Sequence, residues 1–465
     1  LRFKLFIGST TKRCLFDMKG PFVQNQSFLE HLFLAKFTIV YKNNFLLQLI
    51  FDVQKQDRFY LYLQELFMQK YQNLKDFDLK GRSVFLRLDF NVPLNTSGKI
   101  TDDTRILAAL PTIEHVLEQT NRVCLASHLG RPKGRRKEEF SLKPVAIRLA
   151  ELLGREVLLV DDVDKEPIDQ VLKQVGHNQI LLLENLRFYE GESSNDAFFS
   201  ENLLKGIDFY INDAFGTIHR EHASIVGVPK RLPSDRRGLG FLVEKELKVL
   251  SELQRGEAPF TVILGGAKVS DKVGVVLNLL NYCNHLIIGG AMAYSFLKYK
   301  GVSVGHSFVE DDKMDLVKFI FKNAEKRNVT ITLPVDHVCS ESFTEDSDAK
   351  VVNIENIPDS YQGMDIGPKT IKLFSNMIEK SKTIFWNGPM GVFEWQAYSK
   401  GTMAIAEKVA AGDSFSVVGG GDSVAAVKKL GVEKEFSHIS TGGGASLKYL
   451  EGSILPGLKV LEVYH

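Results

Sequence analysis

At 465 residues the chain is long enough for two or three hydrophobic cores, and its hydrophobic (44%) and charged (25%) fractions are those of an ordinary globular protein. The 58 basic residues balance 57 acidic ones, which excludes the strong net field that gathers nucleic acid or an anionic membrane. Four cysteines (Cys14, Cys124, Cys283 and Cys339) are widely spaced and form no CxxC pair, which favours core thiols in a reducing compartment.

The first 67 residues differ from the rest of the chain. They are rich in phenylalanine, but charges and amides interrupt each apolar run well before the roughly 18 to 20 residues that a membrane span needs. The segment opens with Leu1 and contains acidic residues, in which transit peptides are usually poor. A targeting extension, an added interaction element and a mistranslated upstream stretch all stay open, and Met68 is the expected start of the next domain.

From Leu79 onward, short apolar runs alternate with longer amphipathic stretches, which is typical of βαβ units. The charged stretch 243–259 predicts a connecting helix that ends near Gly256. The expected fold is α/β, with two parallel sheets flanked by helices. The predicted strands are SVFLRLDF, RVCLASH, EVLLVDD, QILLLEN and DFYINDA in the first half, then FTVILGGA, HLIIGGA, TITLPVDH, TIFWNGP and SFSVVGGGD in the second.

Polar and charged residues follow the strands of the first half. Ligands of open parallel sheets bind beyond the carboxyl ends of the strands, so these residues predict a site for a small, highly anionic ligand. Arg131 follows His128 by three residues across a glycine turn, an arrangement of donors suited to carboxylate or phosphate. The alternatives are a solvated loop arginine and a structural histidine. The residues at these ends are Arg87, Asp89, Asn91, Ser127, His128, Arg131, Glu184, Asn185, Arg187, Asn212 and Asp213.

In the second half the strands end mainly in glycines, whose exposed amides at helix N-termini suit phosphate. Lys268 and Lys272 are four residues apart, which predicts one face of a helix beginning just after the glycines. Two roles stay open for Asp422. Its carboxylate is a hard oxygen ligand at the place where a magnesium ion bridging nucleotide phosphates would lie. Alternatively, it caps a helix by accepting from the first helical amides. The residues at these ends are Gly265, Gly266, Gly289, Gly290, Asn387, Gly388, Gly419, Gly420, Gly421 and Asp422.

Two familiar nucleotide sites are absent from the sequence, since no GxxxxGK(S/T) occurs and none of the glycine runs fits GxGxxG. One half carries cations that would bind a small acid, and the other carries a nucleotide site. This division suits phosphoryl transfer across a cleft. The alternatives are another transfer enzyme acting on a small phosphorylated acid, and a non-catalytic nucleotide-binding module.

Eight motifs resemble those of the phosphoglycerate kinase family: RLDFNVPL, SHLGRPKG, LLENLRFYEGE, NDAFGTIHREHAS, LGGAKVSDK, IFWNGPMGVFE, VVGGGDS and STGGGASL. The resemblance covers about residues 68–460. It implies two Rossmann-like lobes joined by an interlobe helix with a hinge. The lobes would be 68–255, binding 3-phosphoglycerate or 1,3-bisphosphoglycerate, and 256–450, binding Mg-ADP or Mg-ATP. The tail 451–465 would return to the first lobe.

The family's reaction, as implied by this resemblance, is reversible transfer of a phosphoryl group from 1,3-bisphosphoglycerate to ADP. Transfer would be direct and in line after the lobes close, without a covalent enzyme intermediate. The implied cofactor is Mg²⁺, and the implied partners are small molecules only. The implied state is a cytoplasmic monomer, or an organellar protein if residues 1–67 are a targeting extension.

The family's site residues carry over onto matching motifs. The implied acid site comprises Asp89, Asn91, Arg105, His128, Arg131, Arg187 and Arg220. The implied nucleotide site comprises Gly265, Lys268, Lys272, Gly289, Gly290, Met364, Asn387, Pro389, Glu394, Gly421, Asp422 and Ser423, with Asp422 on the metal. The implied catalytic set comprises Arg105, Lys268, Gly442, Gly443 and Gly444, whose glycine amides would meet the phosphoryl group in transit.

Overall fold

A computed structural model describes residues 5–7, 10–12, 70–163, 165–353 and 357–463. The chain divides into two compact units, Leu1–Gln69 and Lys70–His465. In the first unit, strands β1 (Leu5–Ile7) and β2 (Thr10–Lys12) pair antiparallel. The rest of the predicted 1–67 extension lies outside the described residues. No helix within the described ranges has the length and apolar character needed to cross a membrane.

The second unit contains two parallel sheets, as predicted. The strands of its first sheet are β3 (Gln72–Asn73), β4 (Val84–Leu88), β5 (Val123–Ala126), β6 (Glu156–Val160), β7 (Gln179–Leu183), β8 (Phe209–Asp213) and β9 (Arg237–Leu239). They lie in the order β3-β9-β8-β4-β5-β7-β6, and all pairs are parallel. All five runs predicted as strands in this half belong to this sheet.

Helices cover this first sheet, and we call the two together the first lobe. The helices are α1 (Thr104–Leu117), α2 (Lys143–Leu153), α3 (Ile168–Gln174), α4 (Glu190–Ser194), α5 (Ala197–Leu204) and α6 (Val228–Lys230). All five residues of the central strand β4 are buried, because the strand is covered on both faces. Leu86 packs in one apolar cluster with Ile113 of α1 and Leu149 of α2.

The connecting helix α7 (Phe241–Leu253) follows the first lobe. Its N-terminus is capped from strand β8, because Asp213 Oδ1 accepts hydrogen bonds from Leu242 N (2.8 Å) and Val243 N (3.2 Å). The helix ends at Leu253, three residues before the predicted end near Gly256.

The second parallel sheet contains β10 (Phe260–Leu264), β11 (His285–Ile288), β12 (Thr330–Thr332), β16 (Thr383–Asn387), β17 (Phe415–Gly419) and β18 (His438–Ile439). Their order is β12-β11-β10-β16-β17-β18. A separate antiparallel sheet has the order β14-β13-β15, from β13 (Asp336–Ser340), β14 (Lys350–Asn353) and β15 (Gln362–Ile366). These two sheets and their helices form the second lobe. Its helices are α8 (Val273–Leu279), α9 (Met292–Tyr299), α10 (Met314–Lys326), α11 (Pro368–Glu379), α12 (Lys400–Ala410), α13 (Gly421–Leu430) and α14 (Gly444–Leu450).

The prediction of one strand over TITLPVDH is wrong, because the run is divided between two sheets. Strand β12 ends at Thr332 and β13 begins at Asp336. Pro334 lies between them and has no N–H to donate to a sheet ladder. Asp336 then turns toward α11, where its carboxylate accepts from Lys369 N (2.9 Å) and Thr370 N (2.8 Å).

The C-terminal segment contains a short helix, α15 (Pro456–Lys459), and contacts the first lobe. Gly457 N donates to Ile218 O (2.9 Å), and Val463 N donates to Lys70 O (2.7 Å). The boundaries 68–255, 256–450 and 451–465 stay predictions.

Candidate active site

A cluster of cations lies at the carboxyl ends of the central strands of the first lobe. Arg87 is fully buried on β4, where its Nε donates to Ser224 Oγ (2.8 Å) and its Nη2 lies 3.4 Å from His128 Nδ1. Arg187 follows β7 in a 3₁₀ turn and donates from Nη1 to Gly130 O (2.8 Å). The parallel sheet thus brings together residues that are far apart in sequence.

Asp89 organises the neighbouring part of this cluster. Its Oδ2 is paired with Nη1 of Arg105, which projects from the first turn of α1 and keeps 32% of its side chain exposed. Its Oδ1 lies 3.9 Å from His128 Nδ1. Asn91 Oδ1 accepts a hydrogen bond from Gly130 N (2.8 Å), which holds the SHLGRP loop against the end of β4. Of the other predicted acid-site residues, Arg131 and Arg220 are exposed at this edge.

The electrostatics of this cluster suit an anion. Burial, followed by the charge of Arg187, holds the pKa of His128 well below its usual value, so the imidazole is neutral at pH 7. Burial and the charge of Arg87 lower the pKa of Arg187 to about 10, which leaves it charged at pH 7. An anion bound here would compensate this crowding of positive charge.

The acid site implied by the family resemblance omitted two residues that lie in or behind this cluster, Arg87 and Glu192. Arg87 is the fourth residue of strand β4, and the sequence pattern indicates it only as one of the polar residues at the strand ends. Glu192 is fully buried and accepts from Ser224 N (2.9 Å) and Ser224 Oγ (2.7 Å), and lies 3.6 Å from His222 Nδ1. Burial alone would raise the pKa of Glu192, but the neighbouring His222, Arg87 and Ser224 together outweigh burial and lower that pKa.

The second lobe has a cavity of about 350 Å³ at the ends of β10, β16 and β17. Nine residues of the predicted nucleotide and catalytic sets line it: Lys268, Lys272, Asn387, Pro389, Gly421, Asp422, Ser423, Gly443 and Gly444. Six further residues of its wall were not in those sets: Gly266, Ala267, Asp271, Gly388, Gly420 and Leu447.

The prediction that Lys268 and Lys272 share a helix face is wrong, since α8 begins only at Val273 and Lys272 is its N-cap. Glu310 holds the preceding segment as a turn, accepting from Val269 N (2.5 Å) and Ser270 Oγ (2.5 Å). Both lysines still line the cavity. Lys272 donates from Nζ to Asn387 Oδ1, and burial lowers its pKa.

Other predicted residues lie behind or outside the cavity wall. Gly265 permits a close backbone approach, because a Cβ there would stand only 2.7 Å from Gly388 O. Gly289 and Gly290 pack in the same way against Met390 and the backbone of Gly266. Met364 is 2% exposed and Glu394 is exposed, and neither belongs to the described residues that line the cavity.

The glycine run 442–444 lies where the two lobes meet. A Cβ on Gly442 would stand 2.5 Å from the ring of Phe215, and one on Gly444 would stand 3.8 Å from His219 Nε2, both first-lobe residues. Gly443 has φ +51°, a conformation that side chains disfavour. The Gly442 amide donates to Ser440 Oγ (3.2 Å).

The connecting helix fixes the start of this glycine run. Glu246 of α7 is fully buried and accepts from His438 Nε2 (3.0 Å), Ser440 Oγ (2.9 Å), Thr441 N (2.6 Å) and Thr441 Oγ1 (2.8 Å). Burial alone would raise the pKa of Glu246, but His438 and the two hydrogen bonds from Thr441 together outweigh burial and lower that pKa. The carboxylate is therefore ionised at pH 7 and connects α7 to the loop.

Comparison with known proteins identifies the family of this chain. The phosphoglycerate kinase family profile matches residues 74–453. The phosphoglycerate kinase of Finegoldia magna is 49% identical over 395 residues, which cover 84% of this chain and 99% of the relative. That of Thermosipho africanus is 50% identical over 391 residues, or 83% of this chain and 96% of the relative.

Solved structures give the same result. The phosphoglycerate kinase of Coxiella burnetii superposes with a TM-score of 0.74 at 39% identity, covering 84% of this chain and 98% of that chain. That of Pyrococcus horikoshii superposes with a TM-score of 0.72 at 33% identity, covering 84% of this chain and 98% of that chain. The chain therefore belongs to the phosphoglycerate kinase family.

Proposed function

We propose that phosphoryl transfer by this chain is direct and in line, between ligands held on its two lobes. As a member of its family, the chain moves a phosphoryl group reversibly from 1,3-bisphosphoglycerate to ADP. The observation that carries the proposal is the position of the glycine run 442–444. Gly443 and Gly444 line the second-lobe cavity, while the same run packs against Phe215 and His219 of the first lobe.

The first-lobe cations would hold the acid. We assign 3-phosphoglycerate to Asp89, Asn91, His128, Arg131, Arg187 and Arg220, with Arg105 at the end nearest the second lobe. The guanidinium groups offer paired donors to carboxylate and phosphate oxygens. Neutral His128 would contribute a hydrogen bond, since burial and the charge of Arg187 keep its pKa low.

The second-lobe cavity would hold the nucleotide phosphates. We assign Lys268, Lys272, Asn387, Gly421 and Ser423 to the phosphates, because all five line the cavity. The pairing of Lys272 with Asn387 places the ammonium group beside the backbone turn at the end of β16. We assign Gly265, Gly289, Gly290, Met364, Pro389 and Glu394 to the nucleoside half of the ligand.

Transfer itself would depend on charge placed from both sides of the phosphoryl group. Arg105 would act from the first lobe and Lys268 from the second, with the glycine run between them, since Gly443 and Gly444 line the same cavity as Lys268. Preorganised donors of this kind stabilise the charge on the equatorial oxygens, and closure of the lobes excludes water that would hydrolyse the acyl phosphate.

The donor set fits magnesium bound through the nucleotide. Within the described residues there is no group of three or more His, Cys, Asp or Glu side chains able to hold a metal alone. Asp422 is exposed in the first turn of α13 and lines the cavity, so it would be the protein ligand, with phosphate oxygens supplying the rest. A bound Mg²⁺ would neutralise phosphate charge there. Asp422→Ala should therefore raise the magnesium concentration needed for half-maximal nucleotide binding. Unchanged dependence would leave Asp422 as an exposed carboxylate in the first turn of α13, where Gly420 is the N-cap.

A coupled assay of ATP formed from ADP and 1,3-bisphosphoglycerate tests the whole proposal. We expect turnover that requires both substrates and no exchange of label between ADP and ATP when the acid is omitted, because direct transfer forms no phosphorylated enzyme. Exchange without the acid would contradict direct transfer. Nucleotide binding without turnover would show a binding module.

We also propose a cytoplasmic monomer. Cys124, Cys283 and Cys339 are buried and free, which suits a reducing compartment. Sedimentation of the purified full chain at micromolar concentration would test the monomer, and a stable dimer would contradict it.

A further inference from the structure

An ion pair joins the lobes at one end of helix α13. Lys428 of α13 contacts the first lobe through Nζ, which pairs with Asp102 Oδ2 and donates to Thr104 Oγ1 (2.8 Å). The pair is partly exposed, with 28% of the Lys428 side chain and 36% of the Asp102 side chain accessible. Burial alone would raise the pKa of Asp102, but the hydrogen bonds from Lys428 and Thr104 and the charge of Lys428 together lower it to about 2, so the carboxylate is ionised at neutral pH.

The segment that Lys428 holds leads directly into Arg105. Asp102 Oδ1 accepts from Thr104 N (2.9 Å), forming a tight turn at the start of α1. Asp103 is fixed from the other side, because its Oδ2 accepts from Arg148 Nε (3.0 Å) and Nη2 (2.9 Å) of helix α2. Asp102 and Arg105 are three residues apart, so the ties on this turn restrict where the Arg105 guanidinium can lie.

The opposite end of α13 belongs to the nucleotide cavity. Asp422 and Ser423 line that cavity from the first turn of the helix, and Lys428 follows Asp422 by six residues. At about 1.5 Å per residue, one rigid helix therefore connects the two places over roughly 9 Å. A shift of the nucleotide end moves Lys428 with it.

We propose that Lys428 is a positioning residue for phosphoryl transfer: from the nucleotide lobe it holds the Asp102–Thr104 turn and thereby aligns Arg105 on the transferring group. Arg105 is aligned only while the second lobe is in place, so α13 couples nucleotide position to the first-lobe arginine. This inference rests on the proposed role of Arg105.

The test is a double-mutant cycle on the full chain. Lys428→Gln and Asp102→Asn each remove one charge, and Asn keeps the side-chain oxygen that forms the turn. We expect each variant to lower kcat about two- to fivefold, the scale of a partly exposed ion pair, with the nucleotide KM unchanged. The double variant should be no slower than either single one. Lys429→Gln is the matched control, because Lys429 is exposed on the same helix and should keep wild-type kcat.

A second cycle tests whether the effect runs through Arg105. Lys428→Gln should have no further effect on kcat in an Arg105→Ala background. Additive losses in either cycle, or an equal loss in Lys429→Gln, would overturn the inference. Normal turnover in Arg105→Ala alone would instead overturn the proposed role of Arg105, so the two failures are distinguishable.

Discussion

Replacing Glu246 with alanine should loosen the contact between the connecting helix and the glycine run. The wild-type carboxylate is fully buried and accepts four hydrogen bonds, from His438, Ser440 and both donors of Thr441. Removing one partner of a buried pair costs about 3–5 kcal/mol, because the remaining groups lose their acceptor without gaining water. We expect the free energy of unfolding of Glu246→Ala to fall by that amount.

Turnover should fall as well, since Thr441 directly precedes the glycine run. A displacement of about 1 Å at such a loop reduces rate by about 10²-fold. Glu246→Gln should lose less than Glu246→Ala in both respects, because its amide oxygen still accepts from Thr441 N while the negative charge is gone. The Michaelis constant for 3-phosphoglycerate should change only a few-fold, since the proposed acid site is on the other lobe.

The assays are urea unfolding and steady-state turnover, with Glu252→Ala as the control. Glu252 is a half-buried residue of the same helix and makes no ion pair in the described part of the chain. If Glu246→Ala matched Glu252→Ala in unfolding midpoint and in turnover, the contact with His438 and Thr441 would have no role in holding the loop.

Three further predictions follow from particular residues. Lys268→Ala should lower turnover by about 10²-fold and leave both Michaelis constants within a few-fold of the wild-type values. Arg131→Ala should mainly raise the Michaelis constant for 3-phosphoglycerate. Near-normal turnover of Lys268→Ala in steady-state kinetics would remove that lysine from the mechanism. Burial raises the pKa of Asp213 to about 7. Between about pH 4 and pH 7, the folded state therefore keeps a proton on Asp213 that the unfolded state has released. The free energy of unfolding falls as pH rises through this range. Asp213→Asn should remove that fall in urea unfolding across this range, and an unchanged slope would contradict the assignment. A chain beginning at Met68 should keep full turnover, because both sheets and the cavity lie within 70–463; a folded but inactive product would contradict this.

The sequence by itself determined the fold class and the central strands. Apolar runs such as SVFLRLDF are long enough to be identified without tertiary information, because a strand covered on both faces carries apolar side chains at most of its positions. The family motifs also singled out Arg105, Lys268 and Asp422, which lie in the first turn of α1, in the segment before α8 and in the first turn of α13. Their roles stay predictions, but their grouping at two lobe edges follows from the parallel order of strands.

The extra strands and the turn at Lys268 could not be predicted from local pattern. Strands β3, β9 and β18 have two or three residues, so pairing with a neighbour stabilises them more than their own composition does. The apparent helix after Gly266 is a turn because Glu310, 41 residues from Val269, binds its amides. Helix propensity depends on the local sequence only, so it does not include contacts with residues that are distant in the chain.

Only the tertiary structure decided how the lobes are joined. Glu246, Lys428 and Asp102 look like ordinary surface charges in sequence, since nothing within a few residues of each distinguishes them. Their partners are 192 residues away for Glu246 with His438, and 326 residues away for Lys428 with Asp102. Whether a charge is solvated or buried against an opposite charge depends on what the fold brings beside it, and local sequence does not contain that information.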